Sequence, residues 1–262
     1  MARGAVAVVL LMLAAGPAGS QLVQLRHWSG QGVAPVYEGY DVNADGSFNM
    51  WFGYMNRNYE EELDVPAGAG NAFAPGAADR GQPTHFLLRR QKDVFRVVVP
   101  KDFGEQKLVW TITAYGQTQQ VTGSLKSVWM IDHDRTTRGG NIDVVNSNTP
   151  PLVKVQPETA AVAAGAPLVL EVSATDDGFP KRAGQPVGMT AGWGKYRGPG
   201  TVTFEPVQAK LVAGKVTTSA RFSEPGEYVL QVVVDDGSGE LAGNFGYHCC
   251  WTNAQVRVSV KR

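Results

Sequence analysis

The residues of this chain best suited to chemistry are four histidines, one adjacent pair of cysteines and a few short acidic clusters. The histidines, His27, His85, His133 and His248, fall in no HExxH pattern, and the chain carries neither a GxSxG elbow nor a Walker loop. Metal hydrolysis, Ser-His-Asp acyl transfer and phosphate cradling all need such spacings to bring groups onto one site. The sequence therefore reads as non-catalytic. In the string His248-Cys249-Cys250-Trp251, adjacent cysteines cannot staple distant parts of a fold. They could close a strained vicinal disulfide in an oxidising compartment, stand as two thiols, one buried and one exposed, or join His248 on a zinc or copper ion. Three consecutive residues seldom face one ion. Asp41-x-Asn43-x-Asp45-Gly46 offers oxygens at positions 1, 3 and 5 of a calcium loop, with Gly at position 6. Position 12, where a bidentate Glu belongs, is Phe52, and the flanks read as strands, so a hairpin turn competes with calcium. Asp176-Asp177 and Asp235-Asp236 could share a hard cation if the fold brings their turns together; otherwise they are solvated turns whose carboxylates cap backbone amides. Asp132-His133-Asp134 puts its side chains on alternate faces if extended, and reads as polar linker.

Aromatic residues are the other resource, with six tryptophans and eight tyrosines. Trp51 and Trp110 lie inside apolar strand runs and read as core. Trp193 precedes a Gly-Pro-Gly strand, where a sandwich buries an aromatic. Trp251 follows the cysteine pair and reads as partly exposed. The expected binding surface comprises Trp193, Tyr196, Tyr247, His248 and Trp251.

The elements that must position these residues are strands. Runs at 47–55, 94–99, 108–114, 168–174, 216–222, 228–234 and 254–260 are rich in Val, Thr and aromatics, and no helical periodicity appears after residue 20. Val256, Val258 and Val260 share one face of the last run while Gln255, Arg257 and Ser259 share the other, the mark of a strand half buried and half wet. Asn43-Ala44-Asp45-Gly46, Glu224-Pro225-Gly226 and Asp235-Asp236-Gly237 supply the turns. Two long stretches, 65–84 and 176–200, are rich in Gly, Ala and Pro and read as loops, either functional or tolerated insertions. Asn146 to Pro151 is a short stiff connector.

Bulk properties narrow the classes. Lys and Arg total 24, as do Asp and Glu. No basic surplus exists to grip phosphates, which argues against nucleic acid, and no polybasic block marks an anionic membrane. Arg3, the apolar run 5–15 and Ala18-Gly19-Ser20 have the pattern of a secretory signal peptide cleaved before Gln21, and no later apolar run is long enough to span a bilayer.

Gly198-Pro199-Gly200-Thr201-Val202-Thr203-Phe204, then Thr217 to Leu230 (TTSARFSEPGEYVL), then Asp235-Asp236-Gly237 resemble the PKD-like and immunoglobulin-like modules of bacterial surface and secreted proteins. Ala164 to Leu168 and Ala174 to Gly178 match the opening strands of such modules. The resemblance implies a β-sandwich used for spacing, adhesion or partner display, and a bacterial source. The stretch Asn244 to Trp251 departs from it. The expectation is an all-β chain of two tandem immunoglobulin-like sandwiches: signal peptide 1–20, first domain 21–145, linker 146–151, second domain 152–262. It is expected in the periplasm or outside the cell, bound to another protein there. The alternative is carbohydrate binding, with calcium as the one cofactor in view.

Overall fold

A computed structural model describes residues 26–131, 148–178, 181–182, 184–238 and 250–262. The signal-peptide reading (1–20), Asp132-His133-Asp134, Tyr247, His248 and Cys249 lie outside the described residues. In chain order the strands are β1 (Val33–Val42), β2 (Phe48–Asn56), β3 (Leu63–Asp64), β4 (Asn71–Ala74), β5 (His85–Phe86), β6 (Arg89–Val99), β7 (Lys107–Ala114) and β8 (Gln117–Ser124). There follow β9 (Leu152–Gln156), β10 (Thr159–Ala163), β11 (Leu168–Thr175), β12 (Lys181–Arg182), β13 (Gln185–Pro186), β14 (Thr190–Arg197), β15 (Val202–Glu205), β16 (Gln208–Lys210), β17 (Lys215–Phe222), β18 (Gly226–Asp235) and β19 (Trp251–Lys261). A short 3-10 turn lies at Ser127–Trp129. No helix among the described residues is long and apolar enough to cross a membrane.

The first sandwich packs the sheet β1-β2-β6 against β4-β7-β8, with β3 and β5 as a two-stranded ribbon. The turn at Asn43 to Gly46 closes the β1–β2 hairpin, and Gly46 takes the left-handed φ of 83° such a turn requires. Alternating side chains fill the interior: Met50, Phe52, Phe73, Phe86, Leu108, Trp110 and Ile112 are almost wholly buried. Trp110 lies at the centre, stacked on Phe73 at 5.6 Å and edge-on to Phe95 at 5.0 Å. Such aromatic pairs add about 0.5–1.5 kcal/mol each beyond their burial.

In the second sandwich a five-stranded sheet, β10-β19-β18-β14-β16, faces a four-stranded one, β15-β17-β11-β9. The first strand is split between the sheets: β9 pairs antiparallel with β11, and β10 runs parallel to β19. Two facing sheets with sequential antiparallel central strands and a divided first strand make an immunoglobulin-like arrangement. The period-two faces read from the sequence hold. Tyr228, Leu230, Val232 and Val234 are buried, as are Val256, Val258 and Val260. The protein is thus all-β, two tandem immunoglobulin-like sandwiches.

Both stretches read as loops contain essential structure. Residues 65–84 include β4. They are tied down by Asn71, whose Nδ2 donates to Val65 O and Pro83 O and whose Oδ1 accepts from Trp110 Nε1 at 2.9 Å. Fully buried Gln82 donates to the carbonyls of Asn71 and Ala78. Residues 176–200 include β14, an interior strand of the five-stranded sheet.

Candidate functional site

The junction between the sandwiches is built largely by three consecutive residues at the end of β14. Its pairing with β18 slips between Lys195 and Arg197, leaving Tyr196 as an extra residue. A bulge of this kind re-aims side chains. Here it turns Tyr196 out of its own sandwich and into the core of the first, where it is 4% exposed. Its hydroxyl donates to Gly81 O at 2.6 Å, and its carbonyl accepts from Thr84 N at 3.0 Å. Arg197 reaches the same loop, with a fork onto Asp79 at 2.7 and 2.9 Å and its Nε donating to Gln82 O at 2.7 Å. That guanidinium holds the Asp79 carboxyl below its ordinary range. Neighbouring Gly194 lets the sandwiches approach, since a Cβ there would stand 3.1 Å from Leu87 Cδ1.

Lys195, with 4% of its side chain exposed, points its ammonium at the Asp64 carboxylate, 3.0 and 3.1 Å from the two oxygens, and also donates to Gly200 O. Asp64 Oδ1 lies 3.0 Å from His85 Nδ1, and Glu62 Oε2 lies 2.9 Å from His85 Nε2. A neutral imidazole has one N–H, so it can serve only one of two carboxylates. The arrangement is therefore that of an imidazolium. Burial alone would lower the His85 pKa; hydrogen bonds to Asp64 and Glu62 outweigh it and hold the pKa above its ordinary value. For Asp64, burial pushes upward, but the bonds from His85 and Lys195 prevail and hold the carboxyl low. Two cations and two anions thus balance across the junction.

On the opposite flank the first sandwich receives side-chain amides from the second. Asn253 Nδ2 donates to the carbonyls of Asp93 (2.7 Å) and Val94 (3.3 Å), and Gln231 Nε2 reaches Val94 O at 3.4 Å. Between these contacts opens a cleft of about 720 Å³, bordered by Asp41, Trp51, Arg80, the β6 backbone from Asp93 to Arg96, Tyr196 and Trp251. Trp51 is a correction to the sequence reading. It lies on the outer face of β2, not in the core; its Nε1 donates to Asp41 Oδ2 at 2.6 Å, and the Arg96 guanidinium lies 5.5 Å from its ring centre. Period-two alternation could have shown this, because Met50 and Phe52 take the inward positions on either side.

The structure brings three of the expected binding residues to this junction. Trp251 is half-buried at the cleft. Tyr196 and Trp193 border it or the neighbouring hollow on the far side of the contact, but their bulk is packed. Trp193 is 6% exposed and stacked on Phe204 at 6.0 Å. Cys250 is fully buried and is not a free thiol. Asp41, Asn43 and Asp45 are already engaged. Asn49 Nδ2 donates to Asp41 Oδ1 (2.5 Å) and Asn43 Oδ1 (2.8 Å), while Asp45 accepts from Ser47. The geometry is that of a hydrogen-bonded hairpin. The turns carrying Asp176-Asp177 and Asp235-Asp236 do meet, near Asn148, whose Nδ2 donates to Asp236 Oδ2 at 2.9 Å. Burial, followed by like charge, raises the pKa of both Asp176 and Asp236. Among the described residues no group of three or more His, Cys, Asp or Glu is placed to hold a metal ion. Exposed Trp28, Trp129 and Tyr115 carry no sequence signal, because each sits in a turn or terminal segment without strand periodicity.

No family model and no curated protein matches the chain. Similar solved structures exist. A conjugative transposon lipoprotein from Bacteroides eggerthii is 16% identical over 41% of this chain and 96% of its own, with a TM-score of 0.29. Domains 4 and 5 of the S-layer protein SbsC are 12% identical over 88% of this chain and 98% of theirs, at 0.27. The D00-D0 domain of intimin is 13% identical over 86% and 98%, also at 0.27. Likenesses of this size carry no conclusion about site or partner.

Proposed function

We propose that this chain is an exported, non-catalytic interaction protein, its second sandwich of the PKD-like kind, that binds another envelope or extracellular protein at the junction of its two sandwiches. The observation that carries the reading is the cleft itself. Both sandwich interiors are filled, while the junction is fixed by ion pairs and amide contacts yet leaves a hollow bordered by Trp51, Arg96 and Trp251. Aromatic and arginine side chains at a rigid rim are what protein interfaces use as anchors. A disulfide between Cys249 and Cys250 would stiffen the backbone at Trp251. The reading assigns no cofactor.

A second reading, carbohydrate binding with calcium as its accessory, is favoured by one aromatic cluster on the first sandwich. There Trp28 (55% exposed) meets Tyr59 edge-on at 6.0 Å, and the Arg89 guanidinium lies 3.9 Å from the Tyr59 ring centre. The test is a crosslinked pull-down of the chain from Gln21 onward, from its native envelope, with a photocrosslinker at Arg96 or at Trp28. A stoichiometric protein captured from Arg96 supports the first reading. Polysaccharide enriched through Trp28, with no protein partner, overturns it.

A further inference from the structure

We infer that the outer edge of β6, from Phe95 to Val99, is a strand-addition site for an extended acidic segment of a protein partner. The inference rests on the interaction reading above and gives it a mode. β6 has 11 residues and pairs on one side only, with β2. Among the described residues no strand lies along its other side. An edge of that length presents a row of backbone N–H and C=O groups, the template on which another chain adds itself.

The first part of this edge is closed. The β2–β6 register breaks between Phe52 and Tyr54, which face Phe95 and Gln91, so Lys92 to Val94 bulge outward; Asp93 has a φ of 46°. The carbonyls of Asp93 and Val94 are then taken by Asn253 and Gln231 of the second sandwich. Bulges and covered carbonyls are the usual protections of an edge. Both devices stop at Val94. Beyond it the strand is regular: Phe95, Val97 and Val99 face the core, and Arg96 and Val98 face outward, Val98 being 55% exposed. Burial of one face fixes the register, so an incoming strand meets a defined template about 17 Å long. The cleft beside Asp93 to Arg96 gives that strand its entry.

Charge selects the occupant. The exposed charged side chains on β6 itself are Lys92 and Arg96; at its exit exposed Lys101 is followed by exposed Asp102. Of the acids beside Lys92 and Arg96, Asp41 accepts from Trp51 and Asn49, and Asp93 is buried. A second copy pairing antiparallel about Arg96 would set that cation against its equivalent, which destabilises a cross-strand pair. An acidic segment gains by the same geometry, with an apolar residue between its acids to cover Val98.

The probe is an acetylated, amidated octapeptide alternating glutamate and valine, titrated into the isotope-labelled chain from Gln21 onward. The expected result is amide shift changes and hydrogen-exchange protection concentrated at Phe95 to Val99. Arg96→Glu should weaken binding about tenfold or more. N-methylation of one alternate set of peptide amides should abolish it, while the other set is tolerated, because main-chain hydrogen bonds point to the edge at every second residue. Absence of perturbation at Phe95 to Val99 at millimolar peptide refutes the inference, as does binding indifferent to which set is methylated. Capture of a protein partner from Arg96 together with either of those outcomes would retain the interaction reading and discard strand addition.

Discussion

Tyr196→Ala is the substitution that most directly tests the junction. Tyr196 belongs by sequence to β14 of the second sandwich but packs in the core of the first, 4% exposed. Truncating a buried aromatic to Ala costs about 3–5 kcal/mol through lost transfer energy and the cavity left behind. The hydroxyl bond to Gly81 O contributes roughly 1 kcal/mol of its own, so Tyr196→Phe isolates that smaller share. The larger loss falls on the first sandwich and on its coupling to the second, because the packed interior of the second is made by other residues. For a domain of about 100 residues, 1 kcal/mol moves Tm by about 4–8 °C, so the first sandwich should melt about 12 °C or more lower. We expect the native protein to unfold in one transition and Tyr196→Ala in two. Calorimetry, together with urea titrations followed by tryptophan fluorescence and far-ultraviolet dichroism, would resolve them. A single coincident transition in Tyr196→Ala, lowered by only a degree or two, would show that Tyr196 does not couple the sandwiches.

Other consequences of the junction can be read separately. His85 has its folded-state pKa raised, so its contribution is full below the ordinary imidazole value of about 6.5 and is lost as pH rises through the folded value. The urea midpoint should fall over that window in the native protein and stay flat in His85→Gln. The Arg197–Asp79 pair works in the opposite sense: its contribution is full above the ordinary Asp value of about 3.9 and fades as pH drops through the depressed folded value, a dependence Asp79→Asn should remove. Gly194→Val should push Leu87 away and loosen the junction, raising hydrogen exchange at Thr84 and Tyr196, while Gly192→Val, with no atom within 4 Å of its Cβ position, should leave exchange there unchanged.

How far the residues announced this architecture depends on whether a signal is periodic. β18 and β19 could be read face by face, because a strand with one buried side repeats every two residues and Val is abundant in both. β14 could not. Its sequence TAGWGKYR carries two glycines and a lysine, since its outer face must admit Leu87 and its end must reach Asp64. Those needs belong to a partner more than 100 residues away, and no local window contains it. The loop 65–84 was opaque for the same reason: Asn71, Asp79 and Gln82 look like ordinary loop polarity until the backbone groups they satisfy are in place. The site was half legible. Trp251 and Tyr196 stand out in the sequence as unusual aromatics and the outward face of Trp51 follows from period-two alternation, whereas the His85 cluster emerges only from cross-junction register.

The meeting of the two Asp-Asp-Gly turns gives a final prediction of opposite sign to the junction carboxylates. Asp236 is 1% exposed, and Asp176 has a buried Oδ1 with no hydrogen-bond partner among the described residues, while its Oδ2 accepts from Gly178 N at 2.9 Å. Burial raises both carboxyls, and each has a negative neighbour, Asp177 and Asp236 acting on Asp176, and Asp177 on Asp236. A carboxyl whose pKa is higher folded than unfolded binds its proton more tightly in the folded state, so holding it ionised at neutral pH works against folding. Stability from this corner therefore rises as pH falls through the raised folded values and levels off below the ordinary Asp value of about 3.9. Asp176→Asn keeps an oxygen to accept from Gly178 while removing one of the crowded charges. It should raise the melting temperature at pH 7, with a smaller effect at pH 3, below the ordinary Asp value of about 3.9. A melting temperature lowered at both pH values would mean that the ionised Asp176 is held by favourable contacts, and that burial and repulsion do not govern this corner.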